Sequence, residues 1–334
     1  MKELIKDFLA GIKVGEEQSF KNLAVFALHT EQPAAVEFIT LDEALAEDCL
    51  TITEVDESGL VTQLKVANNS RHKVLMMDGE ELVGAKQNRV LNVTILLAPN
   101  SETVIPVSCI EQGRWAYTNR KFCSAERTMN ADLRRKKAQA VHCSLRHSGA
   151  FASDQGEIWD EIDLKFARCH ERLSPTRALS DLFEAKKESI VDYLKHFTPV
   201  AGQSGMAVFI DGALAGIEWL GRADKFQQLY RKLITSYILD ALETADLEPQ
   251  ADSLPSADLV SHYLAQTALA QSERRKSISL GWDLRLDSEV IVGAGLVFDN
   301  QLLQLSLFPQ AATQKQQNER TLRRASWRRG SILR

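Results

Sequence analysis

The 334-residue chain has few cysteines, and none of them stand at a metal-binding spacing. They are odd in number and far apart, and no C-x-x-C sequence occurs: Cys49, Cys109, Cys123, Cys143 and Cys169. This pattern argues against a disulfide framework and against a cysteine-ligated zinc site. We therefore expect free thiols and a cytoplasmic location, because cytosolic thiols are kept reduced.

The chain also lacks the run of roughly 18 apolar residues that a membrane-spanning helix needs. The apolar block at its N-terminus is short and broken by Lys6 and Asp7, which is unlike a signal peptide. Several apolar residues there share one helical face instead: Leu4, Ile5, Phe8, Leu9 and Ile12. They predict an amphipathic docking helix, with a membrane-surface helix as the alternative. We expect no membrane partner.

Common nucleotide-binding and hydrolase motifs are missing. No G-x-x-x-x-G-K-[ST] and no G-x-S-x-G sequence is present. The Gly293-Ala294-Gly295 sequence lies inside a strand pattern with no helix after it, so it is not a dinucleotide fingerprint. The sequence thus gives no reason to expect a P-loop enzyme, a serine hydrolase or a doubly wound nucleotide-binding domain.

The chain has no overall excess of positive charge. Its 40 basic and 45 acidic residues give a net charge of −5, which is unlike a typical nucleic-acid binder. Residues 314–334 alone have a net charge of +6, so the rest of the chain has a net charge of −11. We expect residues 310–334 to form a basic, disordered tail, and only the tail 314–334 keeps nucleic acid open as a partner.

Strand-like and helix-like segments come in blocks, which predicts an α+β fold with mainly antiparallel sheets in its N-terminal and C-terminal parts. We expect one composite domain over residues 1–309. Its β-rich part covers 20–120, its helical block 128–200, and a mixture of hairpin, helix and β structure 205–309. Within these parts, 178–197 reads as one helix, 258–273 as another, and Asp211-Gly212 as a hairpin turn.

Three short segments combine glycine with many polar residues directly beside apolar strand sequence. They are 79–89 (GEELVGAKQNR), 108–115 (SCIEQGRW) and 153–161 (SDQGEIWDE). Clusters of acids, amides and cations at the ends of strands are typical of functional sites on a rigid scaffold. In the first segment, extended backbone would direct Glu80 and Glu81 to opposite faces.

We assign roles to the side chains of these segments by their chemistry. Carboxylates near cations can act as general acids or bases, and the candidates are Glu81, Glu111 and Asp154. Cations, amides and an aromatic ring suit a phosphate attached to a ring, and the candidates are Lys86, Gln87, Asn88, Arg89, Gln112, Arg114 and Trp115. A divalent metal such as Mg²⁺ could join them, although the sequence identifies no ligands for it.

The same three segments have simpler structural explanations. The first fits a hairpin whose acids and bases form surface ion pairs. The second fits a strand end with a core Trp115 and an exposed Arg114, and the third fits helix capping by Ser153 or Asp154. In that interpretation the protein is a non-catalytic scaffold or interaction protein, and its polar clusters are internal hydrogen-bond networks.

In order and spacing, the three segments resemble the ARG and rhodanese-phosphatase-superfamily-associated protein domain, where ARG means ADP-ribosylglycohydrolase. The resemblance runs from about Gly15 to Phe308 and includes the segments SPTRALSDLFE and GAGLVFDNQLLQLSLF. It implies a part in ADP-ribose or NAD-derived chemistry, and so a small-molecule ligand bearing phosphate. A hydrolase of ADP-ribose-type or other phosphorylated small molecules is the enzyme class it suggests, and it supplies no catalytic residues.

Overall fold

The computed structural model describes residues 2–56, 59–245 and 254–310. The helices are α1 Lys2–Ala10, α2 Leu41–Ala46, α3 Ala131–His147, α4 Gln155–Arg168, α5 Leu179–Ala185, α6 Lys187–Leu194, α7 Ala223–Ala241 and α8 Ala257–Leu269. The strands before α3 are β1 Ile12–Phe20, β2 Leu23–Thr30, β3 Ile39–Thr40, β4 Leu50–Glu54, β5 Gln63–Asn68, β6 Val74–Met76, β7 Glu80–Gly84, β8 Arg89–Leu91, β9 Ile95–Leu97, β10 Ser101–Cys109 and β11 Phe122–Thr128. Those after α6 are β12 Gly205–Ile210, β13 Ala213–Leu220, β14 Gln271–Lys276, β15 Trp282–Asp287, β16 Ile291–Phe298 and β17 Gln301–Pro309.

An eight-stranded antiparallel sheet runs in the order β1-β2-β12-β13-β17-β16-β15-β14. Its central strands are apolar on both faces, because helices cover both sides. In β2, Val25 belongs to the core beneath α7, while its neighbour Phe26 belongs to the core beneath α1 and α8. Side chains that alternate between two buried faces account for the near-continuous apolar sequence of this strand.

A six-stranded antiparallel sheet follows the order β11-β7-β8-β10-β5-β4. A further antiparallel bridge joins Thr53 of β4 to Lys121, the residue before β11. The two edges of the sheet therefore meet, and the sheet curls around a third apolar core that includes Ile52, Leu82 and Phe122. We call it the curled sheet. A small three-stranded sheet, β3-β6-β9, completes the β structure of the described residues.

The predicted α+β class with mainly antiparallel sheets is confirmed. The helical block α3–α6 packs into the same core as residues of both larger sheets, such as Val25 and Val90. The division of the chain into domains stays a prediction. Residues 311–334, most of the predicted basic tail, lie outside the described residues.

Several element boundaries differ from the sequence predictions. The segment 178–197 is two helices, because Lys186 leaves helical geometry at φ −97° and ψ 8°. Helix α8 ends at Leu269, and the residues after it join the large sheet as β14 by pairing with β15. The N-terminal helix ends before Gly11, so Ile12 lies in β1 and not on the helix.

The basic face of α3 is turned inwards. Arg134 is fully buried and bonds both carboxylate oxygens of Glu218, at 2.6 and 3.2 Å. Lys137 is also buried and pairs with Asp78. Tyr237 of α7 donates to the same Glu218 at 2.8 Å. Glu218 thus connects α3 and α7 to the large sheet, and the Lys137–Asp78 pair connects α3 to the turn between β6 and β7.

Candidate ligand-binding site

The register of the curled sheet divides the first polar segment between the two faces of the sheet. Leu82 of β7 stands opposite Arg89 of β8, while Glu81 stands opposite Val90. Because residues paired across strands share a face and neighbours along a strand do not, Arg89 and Glu81 lie on opposite faces. Arg89 faces the interior of the curled sheet.

Arg89 lies at one end of the curled sheet, where several strands finish. The last residue of β10, Cys109, pairs with Arg89, and the last residue of β4, Glu54, also points inwards because it follows Leu50 and Ile52 at two-residue spacing. The closest approach of Glu54 Oε1 to Arg89 Nη2 is 3.8 Å. The closure of the sheet through Thr53 and Lys121 brings Glu54 to this end.

The Arg89 guanidinium is completely buried and incompletely paired. Its Nη1 donates to Gln87 Oε1 at 3.1 Å. Among the described residues, Nε and Nη2 have no hydrogen-bond acceptor, although Nη2 keeps its longer ion-pair contact with Glu54. The second oxygen of Glu54, Oε2, likewise has no hydrogen-bond partner there. Buried polar groups without partners are uncommon and destabilising, so they often indicate a functional site.

A loop over residues 110–121, which we call the aromatic loop, covers this end of the sheet. The ring of Trp115 lies 5.7 Å from the Arg89 guanidinium carbon. Lys86 Nζ lies 5.3 Å from the Trp115 ring and 5.2 Å from the Tyr117 ring. Trp115 and Tyr117 remain about half exposed, at 47% and 49%. Exposed aromatic side chains offer a surface on which a planar group can stack.

The aromatic loop is irregular, whereas the sequence suggested a strand end. Arg114 holds it in place: Nε and Nη2 donate to the two oxygens of Glu111, at 2.9 and 2.7 Å. The guanidinium also donates to the Asn88 side chain at 3.1 Å and to the Ala85 carbonyl at 2.8 Å. Arg114 and Glu111 therefore bond chiefly to each other and to the β7–β8 turn.

The first part of the aromatic loop also contacts the segment before α5. The backbone N–H groups of Gln112 and Gly113 donate to the Thr176 carbonyl at 3.0 and 2.9 Å. A Cβ on Gly113 would lie 2.7 Å from the Pro175 carbonyl oxygen, so only glycine permits this approach. Gln112 therefore anchors the loop through its backbone, and its predicted role in binding stays a prediction.

The thiol of Cys109 is part of the interior of the site. It donates to Gln87 Oε1 at 3.1 Å, the same oxygen that accepts from Arg89. Burial raises the pKa of the Cys109 thiol to about 11, although the nearby Arg89 favours the thiolate. At neutral pH the thiol is protonated, which makes it a hydrogen-bond donor and a poor nucleophile. Burial also lowers the pKa of Arg89 from its ordinary value.

Glu80 and Glu81 separate as their alternation predicts. Glu80 accepts hydrogen bonds from Lys232 Nζ and from the Met77 N–H, at 2.8 and 2.7 Å. Burial raises the pKa of the Glu80 carboxyl, opposed by Lys232. Glu81 is fully buried on the other face and accepts from Arg127 Nε at 2.7 Å. The catalytic role predicted for Glu81 stays a prediction.

The third polar segment reaches the curled sheet through neighbours of Asp154. The Gln155 amide exchanges two hydrogen bonds, both 2.7 Å, with the backbone of Cys109, and Ser153 bonds Ser108. Asp154 itself is exposed and caps α4 by accepting from the Glu157 N–H at 3.1 Å. It borders a cavity of about 10 Å³, the size of one water molecule. Its catalytic role also stays a prediction.

Within the described residues, no group of three or more His, Cys, Asp or Glu side chains is arranged to hold a metal ion. Across the same residues, no helix is long and apolar enough to cross a membrane. The Mg²⁺ suggested by the sequence stays a prediction.

A family model, ARPP-1, described as the ARG and Rhodanese-Phosphatase-superfamily-associated Protein domain, matches residues 11–308. The chain belongs to the ARPP-1 family. The match confirms the resemblance drawn from the three polar segments and contains all of them. No significant match exists among curated proteins or among solved structures.

One residue of the site, Glu54, was not selected from the sequence. It stands at the end of an ordinary alternating strand, and the polar residues that follow it, up to Gly59, were not singled out either. Its signal was only that the inward position after Leu50 and Ile52 carries an acid in place of an apolar residue. The site, called the Arg89 site below, comprises Glu54, Lys86, Gln87, Arg89, Cys109 and Trp115.

Proposed function

We propose that this protein binds a phosphate-bearing nucleotide of the ADP-ribose class at the Arg89 site. The observation that carries the proposal is the buried Arg89 guanidinium, two of whose nitrogens have no hydrogen-bond acceptor among the described residues. Phosphate oxygens are acceptors that match the geometry and charge of a guanidinium fork. The family description, which associates the domain with ADP-ribosylglycohydrolases, agrees with this ligand class.

The other residues divide into contact and positioning roles. Lys86 adds a second positive charge next to Arg89, and Trp115 offers a partly free ring face for the base. Gln87 orients Arg89 through a 3.1 Å hydrogen bond. Glu111 and Arg114 fix the aromatic loop, and with it the position of Trp115. In this proposal they are positioning residues.

The acidic charge of the rest of the chain makes such a local site necessary. Outside the tail the chain has a net charge of −11, so its overall electrostatic field repels an anion. Affinity for phosphate must therefore come from nearby cations that are shielded from solvent. The five free cysteines are consistent with a location in the reducing cytoplasm.

A scaffold function without a ligand is the second candidate. The observation in its favour is that the Arg114 guanidinium is fully engaged by Glu111, Asn88 and backbone carbonyls. That network would pin the hairpin and the loop together without any ligand. It does not account for the unpaired nitrogens of Arg89, which is why we favour nucleotide binding.

Isothermal titration of the full chain with ADP-ribose and with NAD, each with and without Mg²⁺, tests the proposal. We expect saturable binding of at least one of them with one site per chain. The same samples, analysed by chromatography after incubation, report any hydrolysis. A folded protein that binds neither compound under any of these conditions would leave the scaffold function as the better account.

A further inference from the structure

Glu54 gives the Arg89 site a negative group that a pure phosphate site would not contain. Its side chain is 4% exposed, and its Oε2 atom has no hydrogen-bond partner among the described residues. A buried carboxylate oxygen without a donor is costly, so something that donates a hydrogen bond is expected beside it.

Gly59 lies beside Glu54 Oε2. A Cβ built on it would lie 3.5 Å from that oxygen and 3.3 Å from Lys86 Cδ, so a side chain at this position would stand against both residues. Because glycine has no side chain, it places no side-chain donor beside the Glu54 oxygen.

The unpaired donors and the unpaired acceptor are neighbours. Glu54 Oε1 lies 3.8 Å from Arg89 Nη2, the nitrogen that lacks a hydrogen-bond acceptor. A phosphate alone would satisfy Arg89 but would be repelled by the Glu54 carboxylate. A ligand with a phosphate and a hydroxyl close together satisfies both, since a hydroxyl donates to a carboxylate.

We propose that Glu54 is a specificity-determining residue that accepts a hydrogen bond from a sugar hydroxyl, so that the Arg89 site selects phosphorylated sugars over free phosphate. This inference rests on the proposed function and narrows its ligand class to the ribosyl phosphate part of the nucleotide. The carboxylate supplies selectivity in two ways, by attracting the hydroxyl and by disfavouring an anion that lacks one.

Titration calorimetry with ribose 5-phosphate and with inorganic phosphate tests this, using wild type, Glu54→Gln and the control Glu102→Gln. Glu102 is an exposed acid on β10, so its variant removes the same charge from the surface. We expect wild type and the control to prefer ribose 5-phosphate at least tenfold. In Glu54→Gln the preference should fall at least fivefold, with inorganic phosphate bound more tightly than by wild type.

Thermal unfolding first establishes that each variant is folded. Glu54→Asp serves as a second variant: it keeps the charge but shortens the reach, so the preference should fall while inorganic phosphate binding stays weak. An unchanged preference in folded Glu54→Gln or Glu54→Asp overturns the inference and leaves the proposed function intact. Failure of wild type to bind either compound also overturns the inference, whereas the proposed function is decided by the titrations with ADP-ribose and NAD.

Discussion

The guanidinium carbon of Arg89 lies 5.7 Å from the centre of the Trp115 ring, in a position where the arginine is completely buried and the ring is half exposed. The arginine comes from a strand of the curled sheet and the ring from the aromatic loop that covers it. A buried cation beneath an accessible aromatic face combines a group that binds phosphate with a surface on which a base can stack.

Substitution of Arg89 should cost little stability compared with substitution of Arg134, a buried arginine that bonds both carboxylate oxygens of Glu218. We expect Arg134→Met to lower the free energy of unfolding by about 3–5 kcal/mol, because it leaves Glu218 as an uncompensated buried charge. Arg89→Met should cost less, since Arg89 makes one hydrogen bond and its ion-pair contact with Glu54 is longer, at 3.8 Å, than the 2.6 Å contact of Arg134 with Glu218. Urea unfolding measures both, and equal losses would favour the scaffold function.

The position of the aromatic loop should depend on the fork geometry of Arg114. We expect Arg114→Lys to loosen residues 112–120, because a lysine cannot bond both oxygens of Glu111 and the Ala85 carbonyl together. Limited proteolysis should show faster cleavage in this loop. Arg222→Lys is the control, since Arg222 makes a similar fork to both oxygens of Asp224 at the start of α7. Equal cleavage rates in the two variants would contradict the anchoring role.

The glycine that ends β7 should tolerate no side chain. Gly84 has φ +137°, and a Cβ there would lie 2.5 Å from the Lys121 carbonyl oxygen. We expect Gly84→Ala to lower the melting temperature far more than Gly149→Ala. Gly149 also has a positive φ, +73°, but nothing lies within 4 Å of its added Cβ, so its substitution should cost only about 1 kcal/mol of backbone strain. Comparable losses would show that the close approach is unimportant.

Thiol labelling should follow burial and pKa. At pH 8 we expect iodoacetamide to modify the exposed Cys123 and Cys143 rapidly, and to leave Cys109 unmodified. Because the pKa of Cys109 is raised to about 11, its thiolate fraction, and with it the labelling rate, should rise about tenfold per pH unit up to that value. Mass spectrometry of peptides measures this. Labelling of Cys109 at pH 8 as fast as that of Cys123 would contradict the structure.

The sequence identified the elements of the large sheet better than the geometry of the site. The hairpin β12–β13 was recognisable from Asp211-Gly212, because local turn chemistry determines it. The inward orientation of the basic face of α3 was not recognisable from the sequence, because Arg134 is buried favourably only through its pairing with Glu218, which is distant in the sequence.

Within the site, the sequence identified residues but not their arrangement. Arg89 and Trp115 were selected by their chemistry, and their proximity depends on the covering loop. The contribution of Glu54 could not be anticipated, because it depends on the bridge between Thr53 and Lys121, 68 positions apart in sequence. Long-range closure of a sheet leaves no local signal in the sequence.

The central claim is that Arg89 binds the phosphate of a nucleotide ligand. Its most direct test is calorimetric titration of ADP-ribose into wild type, Arg89→Met and the charge-matched control Arg222→Met, whose arginine pairs with Asp224 at the start of α7. We predict that Arg89→Met weakens binding at least tenfold, as expected for loss of a charged hydrogen bond of about 1.5–3 kcal/mol, and that the control binds like wild type. Binding of ADP-ribose by folded Arg89→Met as tight as by wild type would contradict the claim.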